Sequence, residues 1–78
     1  MPRRLGELGA TGAEARYRLK WLLDKGLKSL PDDPTVPLND KARGFIRDMT
    51  EAVEVNEDFE PSYGQVVYAQ DLYDRFIL

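Results

Sequence analysis

The sequence predicts an all-α fold, a small three-helix domain preceded by a mobile N-terminal arm, on three observations. Apolar residues recur at helical spacing in three separate stretches. Thr11 with Glu14, and Ser62 with Gln65, match the capping box in which a hydroxyl and a side chain three residues later satisfy the unpaired amides of a first helical turn. Pro31, Pro34 and Pro37 interrupt the chain between the first two stretches. The length, 78 residues, allows one core and one domain. With 42% hydrophobic and 32% charged residues, the composition suits neither a disordered chain nor a membrane span.

Residues 1–10 hold Pro2, Gly6 and Gly9 with little apolar periodicity, so they read as a flexible basic arm carrying Arg3 and Arg4. Residues 11–78 read as the helical domain. The first helix is expected over about 12–27, with Ala15, Leu19, Leu22, Leu23 and Gly26 as its buried stripe and Leu27 and Leu30 extending it. Lys25-Gly26-Leu27 is a stop signal, because glycine after the last turn accepts a left-handed conformation; this sets the end between Lys25 and Ser29. The prolines make residues 31–38 a stiff connector.

Asn39 is suited to cap a second helix over about 40–54, whose stripe is Ala42, Phe45, Ile46, Met49 and Val53. Gly44 either weakens that helix or admits a close backbone. Residues 54–61 are acidic and aperiodic and read as a loop anchored by Phe59. Ser62 then starts a third helix over about 63–77. Val66, Ala69, Tyr73, Phe76 and Ile77 lie along one side of it, and Val67, Tyr68 and Leu72 widen its apolar surface toward two neighbours or a partner. Tyr63, Tyr68 and Tyr73 are expected to fill the core with their hydroxyls toward solvent.

The chain contains neither histidine nor cysteine, which removes the commonest general base, the commonest thiol nucleophile and most transition-metal ligands together. The expectation is a protein that is not an enzyme and uses no cofactor or metal. Residues 1–10 lack the apolar segment of a secretory signal, and no cysteine points to an oxidising compartment, so a cytoplasmic location is expected.

Charge is segregated along the chain: residues 1–28 sum to +4 and residues 29–78 to −7, for a net −3. The acidic part concentrates in Glu51, Glu54, Glu57, Asp58 and Glu60. This cluster lacks the alternating oxygen ligands and turn glycine of a calcium loop, so it reads as a solvated surface or, as a functional alternative, a phosphate mimic for a basic groove on another protein.

On the first helix, Tyr17 and Trp21 fall almost opposite the core stripe, with Arg18, Lys25 and, if the helix persists, Lys28 beside them. Aromatic residues interleaved with cations suit a protein interface or base stacking with phosphate contacts. The plain alternative is that the arm or the last helix folds over both rings.

Residues 38–76 loosely resemble a pattern found in small accessory proteins of phages and mobile elements. In that pattern a Phe-Ile helix core, here Phe45-Ile46-Arg47-Asp48-Met49, precedes a loop and a Ser/Gln-started helix, here Ser62 to Gln65. The helix ends in an aromatic-basic step such as Tyr73-Asp74-Arg75-Phe76. The sequence departs from the pattern at Ala42, where an aromatic is frequent, and at Gly64 in the capping turn. The resemblance implies association with nucleic-acid machinery and supplies no catalytic residue.

Together these readings lead to the expectation of a stoichiometric protein-binding module, an inhibitor of a host nucleic-acid-handling complex such as a CRISPR, restriction or transcription assembly. Its partner would be a host protein or nucleoprotein complex, with no membrane; a second copy of the chain is the other candidate. The alternative is a nucleic-acid-binding accessory domain using Arg3, Arg4, Arg16, Arg18, Lys20 and Lys28 with Trp21.

Overall fold

The computed structural model describes residues 12–78, and these form an all-α domain without a strand among them. The expected arm over residues 1–10 and the Thr11 half of the first capping box lie outside the described residues. Helix α1 spans Gly12–Asp24, a 3₁₀ helix spans Leu27–Asp32, α2 spans Asp40–Val55 and α3 spans Tyr63–Phe76.

Helix α1 stops three residues short of the expected end. Gly26 adopts φ 137°, a conformation that side-chain-bearing residues rarely enter, and this turns the chain after Lys25. A Cβ at Gly26 would also stand 3.2 Å from Ile77 Cδ1, so the glycine lets the segment after α3 approach the turn. Leu27 and Leu30 do reach the core, but from the tighter 3₁₀ helix and not from a prolonged α1. Pro31 is buried inside that short element.

The remaining boundaries follow local chemistry. The Asp33 carboxylate accepts from the Thr35 amide at 2.9 Å and its hydroxyl at 2.6 Å, fixing the connector in a side-chain-closed turn. Asn39 Oδ1 accepts from the Ala42 amide at 2.8 Å and starts α2. Ser62 and Gln65 form the reciprocal capping box at the start of α3: Gln65 N donates to Ser62 Oγ at 3.1 Å and Ser62 N to Gln65 Oε1 at 2.8 Å. Among the described residues, no atom beyond its own helical turn lies within 4 Å of where a Gly44 Cβ would be, so no other backbone among them approaches it.

The core is centred on Leu19, Leu22, Leu27 and Ile46, all fully buried. Helix α1 packs on α3 along one flank and on α2 along another, with the 3₁₀ helix contacting all three. Arg18 meets Gln70, Trp21 meets Tyr73, and Gly26 faces Ile77, so α1 and α3 run in the same direction. Phe45 and Tyr68 join α2 to α3 edge to face with centroids 4.6 Å apart, and Phe59 packs from the loop onto the core.

Candidate interface on the α1–α3 seam

The basic residues of α1 divide between its two flanks. On the α2 side, Arg16 Nη2 donates to the Val53 carbonyl at 2.9 Å, and Nη1 donates to the carbonyls of Asn56 at 2.8 Å and Phe59 at 3.1 Å. Helix α2 ends at Val55, so the guanidinium supplies a donor to a last-turn carbonyl, that of Val53, and further donors to the Asn56 and Phe59 carbonyls of the segment after it. Lys20 and Lys28 converge on Asp24 at 2.9 and 3.5 Å. The hydrogen bond from Lys20, with the nearby charges of Lys20 and Lys28, holds the Asp24 carboxyl below the ordinary carboxylate range.

Lys28 therefore does not join Tyr17 and Trp21 as expected. Because α1 ends at Asp24, Lys28 sits on the 3₁₀ helix and lines an open hollow of about 370 Å³ with Lys20, Glu54 and Glu57.

On the α3 side the expected group does assemble, in a different form. Trp21 is half-buried, not turned outward: α3 leans against it, with the Tyr73 ring tilted at 52° and 5.6 Å away. Idealised helical spacing placed Trp21 far from the core stripe, but its residual lean is toward α3, and the large indole bridges the gap. Arg18 Cζ lies 4.8 Å from the indole centroid and Lys25 Nζ 5.5 Å from it, both within cation–π range. Tyr17, one turn earlier, remains 71% exposed.

Arg18 also crosses the seam. Its Nη2 donates to Gln70 Oε1 at 2.7 Å, and Gln70 Nε2 donates to Asp74 Oδ1 at 2.9 Å. Arg18 Nε is buried and, among the described residues, without a hydrogen-bond partner. Tyr63, Val67, Gln70 and Asp74 recur at helical spacing, so the α3 stripe that includes the Arg18 contact continues the surface. Tyr63 is 50% exposed and Val67 39% exposed. Tyr68 and Tyr73 pack partly into the core, as expected of them; Tyr63 does not.

The acidic residues occupy the other end of α2. Glu51 and Glu54 lie on α2, which runs one residue past its expected end to Val55, and Glu57, Asp58 and Glu60 follow it; all five are exposed. Among the described residues no group of three or more carboxylates is arranged to hold a metal ion, and no helix is long and apolar enough to cross a membrane.

Sequence reasoning missed the Arg16 contacts with α2 and the Arg18–Gln70–Asp74 relay. For Arg16 a signal existed, since it borders the Leu19–Leu23 side of α1 where a neighbouring helix must pack. Gln70 gave none, because its role depends on the parallel register of two helices separated by most of the chain.

The fold and the seam define a small all-α domain bearing a cation–aromatic surface. In comparison with known proteins, the chain matches no family model, no curated protein and no solved structure.

Proposed function

We propose that the domain is a non-enzymatic, stoichiometric protein-binding module whose interface is the α1–α3 seam. The observation that carries this reading is the grouping of Tyr17, Arg18, Trp21 and Lys25 on one surface, with Tyr63 and Val67 continuing it. Exposed tyrosine beside a part-packed tryptophan and an arginine is the residue chemistry that dominates protein-binding energy. The resemblance of residues 38–76 supplies the finer form of the proposal: a phage- or mobile-element-encoded inhibitor, acting in the cytoplasm, that occludes a host CRISPR, restriction or transcription complex.

Direct nucleic-acid binding has less support. Of the described cations that reading needs, Arg16 is spent on α2 carbonyls, and Lys20 and Lys28 on Asp24. Phosphate mimicry by Glu51, Glu54, Glu57, Asp58 and Glu60 is also weaker, because Lys20 and Lys28 stand beside Glu54 and Glu57 and reduce the negative potential.

The proposal is tested by retrieving partners from bacterial lysates with tagged wild-type protein, Tyr17→Ala, and a Glu54→Lys, Glu57→Lys, Glu60→Lys variant. The expected outcome is a partner lost with Tyr17→Ala and retained by the charge reversal. The opposite pattern would transfer the function to the acidic end of α2.

A further inference from the structure

The cations of this domain differ in what they face. Arg43, Arg47 and Arg75 pair with Asp40, Asp32 and Asp71, Lys20 and Lys28 share Asp24, and Arg16 is saturated by carbonyls. Among the described residues, Arg18, Lys25 and Lys41 pair with no carboxylate; Lys41 lies 5.6 Å from the Tyr68 ring centroid, whereas Arg18 and Lys25 converge on the same indole. In a chain of net charge −3, these two cations share one ring, and the Asp74 carboxylate is linked to Arg18 only through Gln70, so the ring carries a local excess of positive charge.

Arg18 adds a second imbalance. Its guanidinium is part-buried, yet one donor goes to a neutral amide and Nε has no acceptor among the described residues. A buried donor left unpaired is destabilising, and a guanidinium is better matched by a planar carboxylate than by one amide oxygen. Exposed apolar and aromatic side chains stand on both helices of the seam: Tyr17 on α1, and Val67 and Tyr63 on α3.

Resting on the binding-module reading above, we infer that the α1–α3 seam takes an acidic segment of a protein partner. A carboxylate of that segment is received by Arg18 and Lys25, and an adjacent aliphatic or aromatic side chain packs on Tyr17 and Val67. The carboxylate neutralises the excess charge and competes with Gln70 for the guanidinium. A nucleic-acid strand is the poorer match, because a polyanion draws its affinity from many phosphate contacts, and among the described residues the seam offers two cations, Arg18 and Lys25. Charge and apolar contact together make the recognition specific, and the charge pair speeds encounter.

The experiment uses the full chain as bait for a library of short random peptides displayed on phage, followed by affinity measurements on synthetic copies of enriched peptides. Enrichment of Asp or Glu next to an aliphatic or aromatic residue is expected. Lys25→Glu and Tyr17→Ala, both at exposed positions, should each weaken binding at least about tenfold, as should Arg18→Gln if its circular dichroism is unchanged. Amide shifts on titration should cluster around Tyr17, Arg18, Lys25 and Gln70. A neutral or basic consensus, no enrichment, or acidic peptides indifferent to Lys25→Glu and Tyr17→Ala would overturn the inference. Peptides that bind another face would overturn it while leaving the module reading intact. Displacement of a bound peptide by a single-stranded oligonucleotide at near-physiological salt would overturn it in favour of phosphate recognition.

Discussion

Arg16 closes the end of α2 on Val53: its Nη2 lies 2.9 Å from that carbonyl, across 37 positions of sequence, while Nη1 reaches the carbonyls of Asn56 and Phe59. A helix C-terminus exposes unpaired acceptors and the negative end of its dipole, and the guanidinium answers both with fixed donors. The loop carrying Phe59 is thereby tied to α1.

Replacing Arg16 by Ala should cost about 2 kcal/mol, since hydrogen bonds involving a charged donor contribute more than neutral ones. Arg16→Lys should recover only part of this, because an ammonium lacks the fork that spans several carbonyls. Urea unfolding of the three proteins measures the series; equal stability of all three would show that the guanidinium is dispensable.

The two informative glycines should respond in opposite directions. Gly44→Ala should stabilise by about 1 kcal/mol, because its site is helical, exposed and clear of neighbours. Gly26→Ala should destabilise by about 1–3 kcal/mol through backbone strain at φ 137° and the close Ile77 side chain. Thermal unfolding of both variants checks the pair, and a stabilising Gly26→Ala would contradict the turn geometry.

Core truncation should be graded by burial. Leu22→Ala removes a fully buried side chain and should cost about 2–5 kcal/mol, whereas Phe45→Ala, at a half-buried edge against Tyr68, should fall at the low end of the range for aromatic truncation or below it. Denaturant midpoints compared at constant slope give the difference.

Asp24 sets a pH dependence. Its carboxyl is held below its ordinary range chiefly by the hydrogen bond from Lys20, so the folded state binds that proton less readily than the unfolded one. The resulting stabilisation is present above the unfolded value and is lost as pH falls through the depressed folded value. Asp24→Asn should flatten this acid-side slope in a melting-temperature series. Added salt should reduce the wild-type slope, because both lysine pairs are solvent-exposed and screened.

The three helices were legible because local rules agreed with each other: Asn39 and the Ser62–Gln65 box form the caps expected of them, and Ala42, Ile46, Met49 and Val53 are buried as their spacing requires. The end of α1 was legible in kind, since Gly26 does turn the chain, but the burial of Leu27 and Leu30 mimicked a longer helix. A stripe reports which side is buried and not whether the turn carrying it is α or 3₁₀. For Trp21 the outward direction and cover by the last helix were both open, and the second holds, because helical spacing gives a direction and not the reach of an indole toward its neighbour. Tyr17, whose direction is still farther from the core, stayed exposed. The pairing of Arg18 with Gln70 depends on tertiary register, which no local pattern encodes.

The shared direction of α1 and α3 bears on the order in which the protein can be built. Arg18 and Gln70, 52 positions apart, meet only when the last helix is present. During synthesis α1 leaves the ribosome well before the residues that cover one of its flanks, so a nascent chain carrying α1, the 3₁₀ helix and α2 presents Trp21 without Tyr73 and the Gly26 turn without Ile77. Completion of the core is a late, long-range event in an otherwise locally stabilised helical protein, and its closure entropy falls on the final step.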